Sequence, residues 1–467
     1  MTTHRPAVGS IVLACGVVTC ALGLLAVAVE GGVGAAVERS VAADPQPAGQ
    51  TPAIGSWSPV PLPQATPATP VATPVAGTLD PGPYAAALDG VTGSGLSGDR
   101  YGVVVDPVSG DALWDSGADE AVLPASTMKL LTCLAALDLL GPAHRFRTAV
   151  VAGADDTIVL VGGGDPYLSS KPTASAPGRA SVSDLAARTA GALHAAGTTK
   201  VRVAWDNTLF DESGWNDDWP TTYADQVTPV GALVVDQGRL DGTSPGRRTT
   251  TPGRDAAEAF VAALEGAGID ASLTDPAEAP EGAEELAAVD SLPLSGIVEN
   301  LLVHSDNDAA EILAHQVGVA AGTGGSFEGA ADGVRQVLTE HDLWDDHAVL
   351  SDGSGLSREN RVTPTMLAGA VALAVTDDRY RALLSGLPVG AATGTLAERF
   401  GASAASAGRG AVHAKTGTLS GTSALAGYAV GAGDAPVVYA FVVNDSTDDV
   451  SARAWLDRAA SAVVSAR

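Results

Sequence analysis

The stretch Pro124-Ala125-Ser126-Thr127-Met128-Lys129 sets a serine three residues ahead of a lysine, just before the apolar run LLTCLAALDLL that stops at Gly141-Pro142. Lysine occurs only four times in the 467 residues, so its position here invites a chemical reading. A serine hydroxyl is a weak nucleophile until a base takes its proton. Residues i and i+3 share one face of a helix, so a helix opening at Ser126 brings the Lys129 amine to that hydroxyl. The amine can act as the base if burial or a nearby cation lowers its pKa. The unpaired N–H groups of a helix N-terminus can also face an oxyanion. A serine N-cap followed by a surface lysine gives the same spacing, so the pair carries little alone.

Two distant stretches supply what the pair lacks. Ser305-Asp306-Asn307 falls between two helical patterns, LSGIVENLLVH and DAAEILAHQVGVAAG, and Lys415-Thr416-Gly417-Thr418 lies inside a strand pattern, AVHAKTGTLSG. Small residues around a strand lysine let a ligand approach the backbone closely. Serine-x-x-lysine, serine-aspartate-asparagine and lysine-threonine-glycine together are the signature of β-lactamases and penicillin-binding proteins. Each occurs once here, in that order, at a helix start, an interhelical turn and a strand. The stretch Ala392-Thr393-Gly394-Thr395 lacks the lysine and reads as a decoy.

The chain therefore resembles the penicilloyl serine transferase superfamily. Ser126 and Ser305 are 179 positions apart, whereas Ser305 and Lys415 are 110 apart. The long first gap resembles that of the low-molecular-mass class C penicillin-binding proteins, the D-alanyl-D-alanine carboxypeptidase/endopeptidase family. GGGDPYL, LSDGSGLSRENRVTP and KTGTLSGTSALAGY agree with that likeness, which covers about residues 84–464. It implies an α/β (α+β) transpeptidase fold, with an antiparallel sheet flanked by helices, a helical subdomain, and a large insertion between the first two motifs. It also implies roles. Ser126 is the acylated nucleophile and Lys129 its base. Ser305 relays a proton to the leaving nitrogen, and Asn307 orients the substrate amide and Lys129. Lys415 supplies positive charge and, with Thr416, Gly417, Thr418 and Ser420, receives the substrate. The N–H groups of Ser126 and Thr418 form the oxyanion hole. Asp165, in GGGDPYL, and Arg358, after SGLS, line a pocket for the third stem-peptide residue, where an acid and a base side by side suit diaminopimelate. The implied partners are peptidoglycan stem peptides and, as covalent inhibitors, β-lactams.

The elements that must hold these residues are legible in outline. YGVVVDPVSGDALWDSG (101–117) and TAVVAGADDTIVLVGGGDPYL (148–168) read as hairpins. Helical patterns cover 184–197 and 255–267, with a strand KVRVAWD between them and a loop-like tract over 205–240. Three consecutive antiparallel strands and a helix over 447–464 close the chain. Asp352, among glycines, reads as a loop former, and the tryptophans of the 205–240 tract read as core. The division expected is 1–40 anchor or signal peptide, 41–83 Pro/Ala/Thr-rich spacer, 84–149 first catalytic part, 150–285 insertion and 286–467 second catalytic part.

A net charge of −28 leaves no basic stripe for nucleic acid. No cofactor or metal is expected, since the eight histidines form no His-x-x-x-His pair or Cys/His cluster. Cys133 has no partner in the folded part and reads as a small buried hydrophobe. Residues 7–29 carry no charge over 23 positions, enough to span a bilayer. They read as an uncleaved membrane anchor, with signal cleavage near SVAAD as the rival, and either places the body outside the cytoplasm. The rival functions are a β-lactamase or esterase on the same fold, which has no need of the insertion, and a non-catalytic β-lactam- or wall-binding protein.

Overall fold

The structure, a computed structural model, describes residues 79–466 apart from 92–95, 173–176, 212–213 and 431–435. The expected anchor and nearly all of the expected spacer lie outside the described residues. The last spacer positions do not stay extended. Helix α1 (Pro81–Asp89) begins inside them, with the Asp80 carboxylate capping the Gly82 N–H and proline at the first helical position.

Strands β1 (Asp99–Val105) and β2 (Ala112–Ser116) form the first expected hairpin. A short 3₁₀ turn, Ala125–Met128, leads into α2 (Lys129–Leu140). Nine consecutive residues of α2, Lys129 to Leu137, are buried. A helix apolar all round is a core helix, and each fully buried leucine contributes about 1.5–3 kcal/mol. The site is thus built on the end of a helix buried over its first nine residues.

Next comes a second sheet. It contains β3 (Arg147–Ala152), β4 (Thr157–Val161), β5 (Lys200–Asp206), β6 (Asp270–Leu273) and β7 (Glu285–Asp290), in the order β6-β5-β4-β3-β7. The β3–β4 hairpin is as expected, but β4, β5 and β6 run parallel through the crossovers α3 (Val182–Ala195) and α4 (Pro252–Gly266). These helices pack on that sheet around Leu185, Phe260 and Leu264 as a core of their own. Its first and last strands in chain order, β3 and β7, extend a few residues beyond 150–285.

Helices α5 (Leu294–His304) and α6 (Asn307–Ala321) meet at the Ser305–Asp306 corner, followed by α7 (Phe327–Glu340), α8 (Pro364–Thr376) and α9 (Arg381–Ser385). Strands β8 (Val412–Leu419), β9 (Thr422–Val430) and β10 (Pro436–Asn444) then form the expected antiparallel meander, and α10 (Asp449–Ser465) ends the described chain. The first sheet is ordered β2-β1-β10-β9-β8, so β1 pairs with β10 and the first and last strands of the described residues share one sheet. One of its faces lies on α8 and shares a core with α2, α5 and α6, and its other shares a core with α1 and α10. β8, which carries the lysine-threonine-glycine motif, is an edge strand. Among the described residues no helix is long and apolar enough to cross a membrane.

Candidate active site

Ser126 does not open an α-helix. It sits in the 3₁₀ turn, and α2 proper begins at Lys129. Side chains at i and i+3 eclipse in such a turn, so the expected meeting is kept: Lys129 Nζ lies 3.0 Å from Ser126 Oγ. The turn is tight because backbone crowds it. Ala125 is held at φ 46°, a costly region for a residue with a Cβ. A Cβ on Gly417 would lie 2.7 Å from the Pro124 carbonyl oxygen, and one on Gly355 would lie 2.0 Å from that of Ala125. Gly417 therefore makes room for the nucleophile turn rather than for a ligand.

Lys129 is fully buried. Besides Ser126 it touches Asn307 Oδ1 at 2.8 Å and the Ser354 carbonyl at 2.6 Å. The Asn307 amide is oriented by its Nδ2, which donates to the Gln226 carbonyl. Both additional partners are acceptors only. A neutral amine that donates its two hydrogens to them turns its lone pair toward Ser126 Oγ, as a general base requires. Burial draws the Lys129 pKa down to about 8, against the raising influence of Glu311, Asp352 and Asp306.

Ser305 ends α5 in a left-handed conformation, φ 56°, which turns its hydroxyl to Lys415 Nζ at 2.7 Å. Lys415 is also fully buried and donates to the Thr416 carbonyl at 2.7 Å. Burial first, and then the charge on Lys129, holds its pKa well below the usual amine range. Two amines in one dry pocket do not both hold a proton cheaply. Ser126, Tyr223, Gln226, Ser305, Asn307, Leu356 and Thr418 line one cleft of about 460 Å³. The three motifs thus converge on one space, with Ser126 and Thr418 on its wall.

The expected pair of Asp165 and Arg358 is not brought together. Asp165 is buried, accepts the Tyr167 N–H at 2.8 Å, and burial pushes its carboxyl up to about 7. Arg358 is exposed and reaches the Ser420 carbonyl at 3.1 Å, at the end of the edge strand. Asp218, also exposed, lies against the residue before Arg358: its Oδ2 accepts from Ser357 Oγ at 3.3 Å and from Ser351 Oγ at 2.5 Å. In the sequence this acid stands between two tryptophans, in WNDDW (215–219). Trp219 is core, as expected: it is buried, packs on Trp215 and Phe327, and donates to Asp352. Asp352 gathers the Gly355 and Ser357 N–H groups and the Asn360 amide, and so forms its loop as expected.

Two further residues escaped the sequence reading. Thr395, in the decoy stretch, meets Thr416 Oγ1 at 2.8 Å. Glu311 is fully buried, four residues after Asn307 and therefore on the same face of α6. Its carboxylate accepts the N–H of Gly353 at 3.1 Å and of Ser354 at 2.7 Å. It thereby fixes Ser354, the residue whose carbonyl holds Lys129.

The model of the D-Ala-D-Ala carboxypeptidase 3 (S13) family matches residues 85–245 and 239–463. The chain belongs to this family. A carboxypeptidase of Mycobacterium tuberculosis is 34% identical to this S13 protein over 361 residues, covering 75% of this chain and 77% of the relative. A D-alanyl-D-alanine carboxypeptidase of an Actinomadura species is 31% identical over 417 residues, covering 70% and 74%. Penicillin-binding protein 4 of Haemophilus influenzae superposes with a TM-score of 0.66 at 20% identity, covering 80% of this chain and 98% of that one. The S13 chain therefore has the penicillin-binding fold and the serine-type carboxypeptidase activity of its family. Of that Haemophilus protein a complex with a β-lactam is also known (TM-score 0.60, 19% identity, 79% of this chain and 97% of that one).

Proposed function

We propose that this carboxypeptidase trims the terminal D-alanine from peptidoglycan stem peptides through an acyl-enzyme on Ser126, and that β-lactams acylate the same oxygen. One observation carries the assignment: a buried amine 3.0 Å from a serine hydroxyl, whose two other partners only accept hydrogen bonds. In this reading Lys129 takes the Ser126 proton as Oγ attacks the penultimate carbonyl. The N–H groups of Ser126 and Thr418 receive the oxyanion, and loss of one such donor costs about 2.7–4 kcal/mol. Ser305 delivers the proton to the departing nitrogen. The terminal carboxylate lies against Lys415, Thr416 and Thr418. There it favours the charged form of Lys415, and that charge in turn favours the neutral, basic form of Lys129. Water then hydrolyses the ester. The test is intact-mass spectrometry with penicillin and release of D-alanine from a pentapeptide. A protein that takes up no penicillin and releases no D-alanine would overturn the reading.

Glu311 acts through Ser354 as a positioning residue. Glu311→Gln keeps the shape but turns an amide NH₂ toward a backbone N–H. Losing one charge-assisted hydrogen bond slows penicillin acylation on the order of tenfold. Burial pushes its own carboxyl up to about 8; in its charged form it raises the Lys129 pKa, so in the variant the acidic limb of the pH–rate profile moves to lower pH. A slower enzyme with an unshifted limb would reduce Glu311 to loop packing.

For the third stem residue, the pair that fits is Arg358 with Asp218 rather than Asp165. A side chain ending in an ammonium and a carboxylate on one carbon suits an acid beside a base, so diaminopimelate peptides are favoured over lysine peptides. Arg358→Ala and Asp218→Asn should each narrow the kcat/KM ratio between matched peptides about fivefold to tenfold, while Asp165→Asn leaves it alone. A ratio that moves only in Asp165→Asn would restore the first assignment.

The apolar run 7–29 and the proline-rich segment after it fit a tether that holds this body at the outer face of the membrane. Membrane fractionation of the full chain against a version lacking residues 1–40 tests that arrangement.

A further inference from the structure

Across the Ser305–Asn307 turn from the nucleophile lies a second cavity, of about 550 Å³, walled by Tyr167, Arg179, Gln237, Arg239, Asn300 and His304. It shares Gln226, Ser305 and Asn307 with the catalytic cleft, so the turn is the partition between the two. Two guanidiniums face this space short of acceptors. Arg179 lies over the Tyr167 ring at 4.4 Å, and its buried Nε has no hydrogen-bond partner. The buried Nε of Arg239 has none either, and its Nη2 comes no closer than 3.9 Å to Asp306 and 4.0 Å to Asp308.

The carboxylates on that wall are engaged elsewhere. Asp306 accepts from Gln237 Nε2 at 2.7 Å and from the Ala309 N–H at 3.2 Å. Asp308 accepts from the Thr228 N–H at 2.7 Å and pairs with the buried Arg248 at 3.2 Å. A buried donor without an acceptor is a cost. The buried Nε atoms are out of a ligand's reach, but the guanidinium ends that line the cavity can take a carboxylate, because the guanidinium fork matches carboxylate geometry.

The position of the cavity identifies the ligand. Ser305 faces the departing nitrogen in the proposed reaction and also lines the cavity. When the substrate is a stem peptide, what departs is one alanine, far smaller than this space. When the substrate is a cross-link, the departing nitrogen carries a whole acidic peptide. We infer that the cavity behind the Ser305–Asn307 turn is the subsite for the carboxylate-bearing peptide on the leaving side of a cross-linked dimer, held by Arg179 and Arg239. The inference rests on the proposed acyl-enzyme reading and extends it to endopeptidase cleavage. The amide between the D-alanyl carbonyl and the side-chain amine of the second peptide breaks as the Ser126 ester forms. The Ser126 proton passes by way of Lys129 and Ser305 to the departing amine, and water hydrolyses the ester.

The experiment compares a cross-linked muropeptide dimer with a pentapeptide monomer on the purified protein, using wild type, Arg179→Gln, Arg239→Gln and the double variant. Loss of one guanidinium–carboxylate contact should raise KM for the dimer about tenfold, and more in the double variant. D-Alanine release from the pentapeptide and the penicillin acylation rate should stay within about twofold of wild type in Arg179→Gln, which lies outside the motif turn. A dimer whose carboxylates are amidated should lose the same preference on wild type. Equal losses on dimer and monomer would mean that the arginines only brace the turn, and an unchanged dimer KM would mean that they bind nothing; either overturns the subsite. A wild type that releases D-alanine but leaves dimers intact also overturns it, with the carboxypeptidase reading standing. Absence of penicillin uptake by the wild type would instead strike the underlying reading.

Discussion

Ser126→Ala should show no penicillin adduct by intact mass, where the parent protein gains one. Its D-alanine release should fall by a factor on the order of 10⁶, the scale on which a serine hydrolase suffers when its nucleophile is deleted. The substitution removes one oxygen at a half-buried position in a turn whose shape is set by its neighbours, not by the hydroxyl. The fold should therefore survive, and an unchanged thermal midpoint is the control. Neither Ser305 nor Ser354 can stand in. Ser305 is engaged by Lys415 at 2.7 Å, and Ser354, although near, is fully buried. An adduct that persists in Ser126→Ala, mapped by peptide digestion to another residue, would end the assignment.

Lys129→Ala should slow acylation by about 10²–10⁴, the usual worth of a positioned base. Lys129→Arg should not rescue it, because a guanidinium keeps its proton and has no lone pair to offer. The pH profile gives a second, independent signature. The working form is the neutral amine, and burial has brought its pKa down to about 8. Acylation by wild type should therefore be slow in acid, rise as pH passes through about 8, and level off above. A group whose protonated form were required would give the opposite slope. Lys129→Ala should flatten this limb as well as lower it. The cost of the change to the fold is limited, since the two acceptors it strands, Asn307 Oδ1 and the Ser354 carbonyl, can take a water in the space the lysine side chain leaves. Acylation at the wild-type rate in Lys129→Ala, with the limb intact, would remove the residue from the chemistry.

Much of this molecule follows from short-range pattern. The spacing of Ser126 and Lys129 survives the difference between an α-helix and a 3₁₀ turn, because i and i+3 face the same way in both. The Ser305–Asn307 corner between helices and the lysine-threonine-glycine strand were legible for the same reason, since apolar periodicity and turn residues mark such elements locally. What pattern could not give is which distant groups meet. Lys129 and Asn307 are 178 positions apart in the chain and 2.8 Å apart in space. Glu311 reads as an ordinary helix acid until the loop carrying Ser354 folds onto it. Thr395 reads as a decoy until it lies against Thr416. Asp165 and Asp218 both read as loop acids, and only packing buries the first and sets the second against Ser357, the residue before Arg358.

The parallel order of the second sheet and the pairing of β1 with β10 belong to the same class, because they depend on which surfaces find each other after the local elements exist. So does the chemistry itself. The sequence by itself determined the nucleophile, its base, the two partner motifs and the family. The tertiary structure alone decided that both lysines are fully buried, that Lys129 has two acceptors to aim its lone pair, and that a second cavity opens behind Ser305. Burial and desolvation are collective properties of many packed residues. No local stretch encodes them, and it is they that turn an amine into a base.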